Sequence, residues 1–100
     1  MTGLDMARVA PYNTKVLFDT DIAKVFEVIL PPNDSVPMHF GLKRVVYAFT
    51  ALNVLVTTPE GKGAKVTSKK GGIGWHPAGL HSVQNKADGP EKQVVFGFKR

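Results

Sequence analysis

Turn-forming residues interrupt this sequence so often that long helices have little room to form. Ten glycines and seven prolines fall among 100 residues, and they separate short runs rich in β-branched and aromatic side chains. No window shows a convincing helical period, whereas runs bounded by Gly, Pro, Asn and Asp are typical of strands. The pattern therefore predicts a chain of about eight short strands.

The predicted strands follow one another at short intervals. They cover residues 15–18, 24–30, 36–40, 43–51, 52–58, 64–68, 73–76, 80–84 and 93–98. So many short strands in one small domain favour a sandwich or a barrel, and a jelly roll limits the number of exposed edges. We expect an all-β jelly-roll barrel over residues 12–100, preceded by a loosely held N-terminal arm over residues 1–11.

The segment 43–51 is apolar on both of its predicted faces. Val45, Tyr47 and Phe49 share one face, and Val46 and Ala48 share the other. A strand buried on both sides needs a layer on each side, and in so small a domain a second subunit can supply one of them. We therefore expect a homodimer.

Composition limits the functions that the chain can have. The formal charge is +5, but the Lys and Arg residues are scattered and do not alternate with aromatic residues, so we expect no nucleic-acid partner. No apolar run approaches the roughly 18 residues of a membrane span, so no membrane partner is expected. The absence of cysteine and of a signal-peptide pattern favours a cytoplasmic protein.

Residues 71–85, GGIGWHPAGLHSVQN, carry the densest motif of the sequence. They predict a strand, a Pro-Ala-Gly turn and a second strand that begins near His81. Trp75 and His76 precede the turn. Trp75 is expected in the core or on a cavity wall, with ligand stacking as the alternative. The alternation does not fix whether His76 faces inward, and a surface histidine at a strand end is the simpler interpretation.

This stretch resembles the second motif of small single-domain cupins, the RmlC-like jelly-roll superfamily. Gly71, Pro77, Gly79, His81 and Asn85 occupy the family's glycine, proline, glycine, histidine and asparagine places. The one departure is that a single residue separates Gly79 from His81 where the common pattern has two. The resemblance extends from about Tyr12 to Lys99 and implies a cupin double-stranded β-helix.

The first cupin motif is largely substituted. His39 occupies the place of the first histidine, but Gly41 stands at the second histidine and Arg44 at the glutamate. Asn33 and Ala51 stand where the family has glycines. Because cupins with the full set bind a divalent metal through three histidines and the glutamate, the resemblance implies that this chain keeps only His39 and His81 of that set.

Two imidazoles make a weak metal site, because metalloenzymes use three or more protein ligands. An inward Arg44 would oppose a cation at 5 to 6 Å by about 3 kcal/mol at an effective dielectric near 20. His76 could join His39 and His81, but the residues alone favour no bound cofactor, with a divalent metal as the alternative. No acid–base pair or nucleophile stands out, so the sequence assigns no catalytic residue.

Three functions are consistent with these residues. The first is binding of a small anionic molecule in the barrel by Arg44, with His39, His81 and Trp75 lining the pocket. The second is a metal-dependent oxygenase or isomerase that uses His39, His81 and also His76. The third is a structural dimerisation module with a vestigial cavity. An Arg44 exposed on an edge strand would argue against the first.

Overall fold

The chain is described here by a computed structural model that covers Met6 and residues 10–100. Nine strands form in this part of the chain. They are β1 (Thr14–Asp19), β2 (Ala23–Leu30), β3 (Ser35–Gly41), β4 (Lys43–Ala48), β5 (Leu52–Thr57), β6 (Gly63–Ser68), β7 (Ile73–His76), β8 (Gly79–Asn85) and β9 (Glu91–Phe98). Every strand that the sequence predicts is present, and no boundary moves by more than three residues.

The strands form two antiparallel sheets around one core. The five-stranded sheet has the order β1-β2-β9-β4-β7, and the four-stranded sheet has the order β3-β8-β5-β6. Inward-facing residues from both sheets build the core: Val28, Leu30, Val36, Val46, Ala48, Leu52, Val54, Val83 and Val95. The expected all-β jelly roll is confirmed.

The predicted strand 43–51 ends three residues early. After Ala48 the chain leaves the five-stranded sheet, and β5 begins in the other sheet at Leu52. The N–H groups of Phe49 and Thr50 both donate to the Lys92 carbonyl, at 3.0 and 3.3 Å. Residues 49–51 therefore form a corner between the sheets, and their continuation as a strand is wrong.

A second corner lies between β7 and β8. Only Pro77 and Ala78 separate these strands, yet β7 pairs with β4 in one sheet and β8 pairs with β3 and β5 in the other. The corner carries the chain across the barrel at one end. It therefore places His76 and His81 on different sheets at that same end.

The N-terminal arm predicted over residues 1–11 lies mostly outside the described residues. Within the described part, Met6 and Ala10 are buried and belong to the core cluster. Thr14 Oγ1 donates to the Ala10 carbonyl at 3.0 Å, which joins this segment to the start of β1. None of the helical structure in the described part is long and apolar enough to cross a bilayer.

Asn85 organises the end of the barrel that lies away from the two histidines. Its side chain is fully buried, and its amide nitrogen donates to the carbonyls of Leu30 (2.9 Å), Pro31 (3.2 Å) and Gly89 (3.0 Å). Its Oδ1 accepts from the Ala87 N–H at 2.8 Å. An amide is suited to this position because it both donates and accepts.

We expect Asn85→Ala to lower the free energy of unfolding by about 3 kcal/mol, because it leaves several buried backbone groups unpaired. Asn85→Asp should also destabilise, since a carboxylate cannot donate to the carbonyls. Urea unfolding at pH 7 measures both. Ser82→Ala, on the same strand, is the control and should change stability by less than about 0.5 kcal/mol. A similarly small effect of Asn85→Ala would contradict this assignment.

Candidate functional site

A cavity of about 710 Å³ lies between the two sheets. Alternate residues of β4 and β9 face it from one side, and alternate residues of β5 and β8 face it from the other. Four ionisable side chains that can bind a ligand line one part of it: His39, Arg44, His76 and His81. Because they come from four different strands, the fold itself is what brings them together.

His39 and His81 face each other across neighbouring strands. They are directly paired in the β3–β8 register, and their ring centroids lie 4.5 Å apart at an interplanar angle of 68°. Both are buried, with His39 only 2% exposed. His39 Nδ1 lies 2.9 Å from the Pro37 carbonyl, which can only accept, so Nδ1 carries the proton and Nε2 carries the lone pair when the ring is neutral.

Arg44 places its guanidinium inside the cavity. Nη1 donates to the carbonyls of Leu42 (2.9 Å) and Pro77 (3.2 Å), and Nη2 lies 3.4 Å from His81 Nε2. These contacts hold the group between the β3–β4 link and the β7–β8 corner. Burial lowers the pKa of Arg44, but a guanidinium stays protonated in proteins. The result is a fixed positive charge beside the histidine pair.

Gly41 makes room for this guanidinium. A Cβ at position 41 would lie 2.6 Å from His81 Cε1 and 2.7 Å from Arg44 Nη1. Both separations are too short for nonbonded atoms, so a side chain at position 41 and the observed place of Arg44 exclude each other. The two substitutions in the first motif, glycine for histidine and arginine for glutamate, are thus sterically coupled.

The environment keeps His81 neutral. Burial lowers its pKa to about 4, and the charge of Arg44 is the second cause. A hydrogen bond to the Gly79 backbone opposes this effect, and it is consistent with Nδ1 as the protonated nitrogen and Nε2 as the acceptor from Arg44. Burial and Arg44, in that order, also lower the pKa of His76. Among these four site residues, Arg44 therefore carries the positive charge.

The structure separates Trp75 from the other site residues. On β7, His76 faces the cavity, so the alternation of a strand turns Trp75 to the outer face, where it is 59% exposed. Its ring centroid lies 6.4 Å from that of Phe98, another residue of that face. The expectation that Trp75 lies in the core or on a cavity wall is therefore wrong. The simpler interpretation of His76 as a surface histidine is also wrong, because His76 lines the cavity.

The residues around His81 do not fit a divalent metal. A metal ligand must offer its lone pair, but the Nη2 donor of Arg44 lies at the Nε2 atom of His81. Among Met6 and residues 10–100, no three His, Cys, Asp or Glu side chains are arranged to hold a metal ion. No described carboxylate forms an ion pair with Arg44 either: Asp19, which lines the cavity, pairs with Lys99, and the other described ion pairs involve Lys92 and Arg100. The absence of a bound metal stays a prediction.

Two features of the site were not predicted from the sequence. One is the aliphatic wall of the cavity, which a list of polar candidates does not include. The other is the role of Gly41 in making room for Arg44. The sequence does carry an indication of it, because glycine replaces a motif histidine three residues before the arginine. Three charged residues, Asp19, Lys24 and Lys99, also line the cavity. Asp19 and Lys99 hydrogen-bond at 2.5 Å.

No protein-family model matches this sequence, and no curated protein matches it. Solved structures do match. The chain is 28% identical to a cupin domain of Bordetella pertussis Tohama I, with a TM-score of 0.78 over 87% of this chain and 92% of that one. An RmlC-like cupin of Methanocaldococcus jannaschii with a double-stranded β-helix fold is 15% identical, with a TM-score of 0.64 over 85% of this chain and 77% of that one.

A third likeness is to the polyketide cyclase RemF of Streptomyces resistomycificus. It is 19% identical, with a TM-score of 0.62 over 87% of this chain and 64% of that one. At such identities the likeness shows the fold alone. Together with the two sheets and their order, these matches define the class of fold: the chain folds as a small cupin, a double-stranded β-helix.

We expect acid to destabilise the fold partly through His81. Its pKa is about 4 in the folded state and about 6.5 when unfolded, so the unfolded chain takes up the proton first as the pH falls. Stability from this residue is therefore complete above pH 6.5 and falls progressively towards pH 4. Urea unfolding at pH 7.5 and 4.5 should show a loss in wild type that exceeds the loss in His81→Gln by roughly 2–3 kcal/mol. Equal losses in both proteins would contradict the assigned pKa.

Proposed function

We propose that this cupin binds a small anionic molecule inside its barrel and that Arg44 holds the anion. The observation that carries the proposal is a guanidinium in the cavity that forms no ion pair among the described residues, since Asp19, the carboxylate that lines the cavity, pairs with Lys99. Removing a charge from water is costly unless a counter-charge or hydrogen bonds compensate for it. An anion at about 4 Å would contribute about 4 kcal/mol of Coulomb energy at an effective dielectric near 20.

The donors of Arg44 support the same proposal. A guanidinium has five N–H groups, and three contacts are made by Nη1 and Nη2. Its Nε–H and a second Nη2–H have no acceptor among the described residues. Paired N–H donors of this kind match the geometry of a carboxylate or phosphate. His39 and His81 lie beside Arg44 and would contact the same ligand.

Isothermal titration calorimetry with small carboxylates and phosphates tests the anion site. Arg44→Gln should weaken binding about tenfold to a hundredfold, because it removes a charged hydrogen bond of about 1.5–3 kcal/mol. Arg44→Lys should recover part of the loss, since lysine keeps the charge but not the planar fork. Arg100→Gln makes the same chemical change at an exposed position and should leave affinity unchanged.

Equal binding by wild type and Arg44→Gln would remove Arg44 from the site and overturn the proposal. Elemental analysis of untagged protein tests the metalloenzyme alternative in parallel. Near-stoichiometric metal that is lost in His39→Ala or His81→Ala would favour that alternative. We assign no catalytic step to the anion site.

A separate surface supports the proposed homodimer. One row of outward side chains crosses the whole five-stranded sheet, and each member is directly paired with the next: Trp75, Val45, Phe96, Val25 and Phe18. Phe18 is 67% exposed, and Ile73 in the neighbouring row is 72% exposed. A sheet face with an apolar row across its full width is unusual in a monomer, because such faces are normally covered by another layer.

A second copy of this chain suits that face. Five strands span about 19 Å at a spacing of about 4.8 Å, and the eight-residue strands β2 and β9 are about 27 Å long, so the face offers roughly 500 Å² per partner. Both partners together would bury about 1,000 Å², which is the lower limit for a specific interface. Two identical apolar faces can pack about 10 Å apart around a two-fold axis without bringing like charges together at the centre. The row itself contains no charged residue.

Sedimentation velocity at micromolar concentration tests the dimer. We expect wild type to sediment as a dimer and Phe96→Lys to sediment as a monomer, because the lysine puts a charge at the centre of the row. Leu80→Lys, an exposed apolar position on the four-stranded sheet, is the matched control and should remain dimeric. A monomeric wild type would overturn the interface.

A further inference from the structure

The cavity is polar at one end only. Register pairs Arg44 with His76 on one sheet and His39 with His81 on the other. The 3.4 Å contact between Arg44 Nη2 and His81 Nε2 joins the two pairs, so all four side chains lie where β4 begins and β7 ends. Gly97 pairs with both Arg44 and Lys24, which places Lys24 at this same end. This end is therefore the rim, and its charged residues mark the entrance from solvent.

Beyond the rim, the described walls of the cavity are almost entirely apolar. The deeper residues include Val46, Val54, Val56, Val66, Val83 and Val95. They come from both sheets, so a ligand body between the sheets would contact apolar groups on each side. Gln93 is the one polar side chain among the described residues that line this region.

This distribution selects the chemistry of the ligand body. A sugar or another polyhydroxylated molecule would bury hydroxyl groups against valines without partners, at a cost of about 1–3 kcal/mol for each unpaired group. An aliphatic or aromatic body would instead gain from burial of its apolar surface. The cavity volume of about 710 Å³ lies within the range of about 300–1,000 Å³ that is usual for small-molecule sites.

The charge of the site selects the head group. Arg44 supplies one positive charge next to neutral His81, and at the rim Lys99 is already hydrogen-bonded to Asp19. A monoanion can be balanced by Arg44 alone, whereas the second charge of a dianion would have to reach Lys24 at the rim to be compensated. A planar carboxylate also fits two adjacent guanidinium donors.

We propose that the ligand is an amphipathic monocarboxylate, with its carboxylate on Arg44 and its apolar body between the valines of the two sheets. This inference rests on the proposed anion-binding function. It adds that affinity comes from both ends of the ligand and that the body points away from the rim.

Titration calorimetry at pH 7.5 with a homologous series of acids tests the inference. The probes are acetate, butanoate, hexanoate and octanoate, with hexanol and hexyl phosphate as head-group controls and inorganic phosphate as an anion without a body. Affinity should rise about threefold to fourfold for each added methylene until the cavity is full. Hexanoate should bind more tightly than hexanol, hexyl phosphate and inorganic phosphate.

Two variants separate the head-group site from the body site. Arg44→Gln should weaken every acid by a similar factor, because it acts on the shared carboxylate. Val56→Thr replaces a wall methyl with a hydroxyl at nearly constant volume. It should weaken hexanoate severalfold and leave acetate unchanged.

The outcomes distinguish the two proposals. If acetate or inorganic phosphate binds as tightly as hexanoate and this binding is lost in Arg44→Gln, the anion site stands and the amphipathic ligand is overturned. Tighter binding of hexyl phosphate than of hexanoate would overturn the monocarboxylate head group. If hexanol matches hexanoate and Arg44→Gln has no effect, or if no probe binds, both proposals are overturned.

Discussion

The chemistry of the cavity depends on one partly buried guanidinium. Arg44 is held by the carbonyls of Leu42 and Pro77, which belong to the link between β3 and β4 and to the corner between β7 and β8. The group therefore ties together two crossings between the sheets at the rim of the barrel. Because it forms no ion pair with a carboxylate among the described residues, its charge would attract an anionic ligand in the cavity. It also contributes to keeping the neighbouring His81 neutral.

The positions and roles of Gly41, Arg44 and His81 depend on one another. The guanidinium needs the space that a side chain at position 41 would fill, and His81 accepts from the guanidinium in the protonation state that the guanidinium itself favours. A guanidinium differs from a metal ion in how it binds a ligand. It offers hydrogen-bond donors at fixed angles, and it has no open coordination site that could activate water or substrate. Such a group suits binding and orientation of an anion.

Much of the fold could be predicted from the spacing of turn residues, because each short strand is bounded by residues that cannot extend it. The placement of His39 and His81 could be predicted only through the cupin motifs, since 41 residues of sequence lie between the two. What the sequence left open was orientation. Strand alternation predicts that Trp75 and His76 lie on opposite faces of the sheet. Only the pairing of β7 with β4 determines which of them faces the cavity.

The strand that carries Arg44 connects the cavity to the outer surface. On β4, Arg44 and Val46 face inward, while Val45 belongs to the apolar row of the outer face. A partner packed on that row would exclude water from the back of β4 and β7, the strands that hold Arg44 and His76. Rigid support of this kind reduces the entropy lost when a ligand orders a binding site. The proposed interface and the proposed anion site would then lie on the two faces of one strand pair. Loss of the interface would increase the mobility of β4 and β7 and therefore of the Arg44 guanidinium.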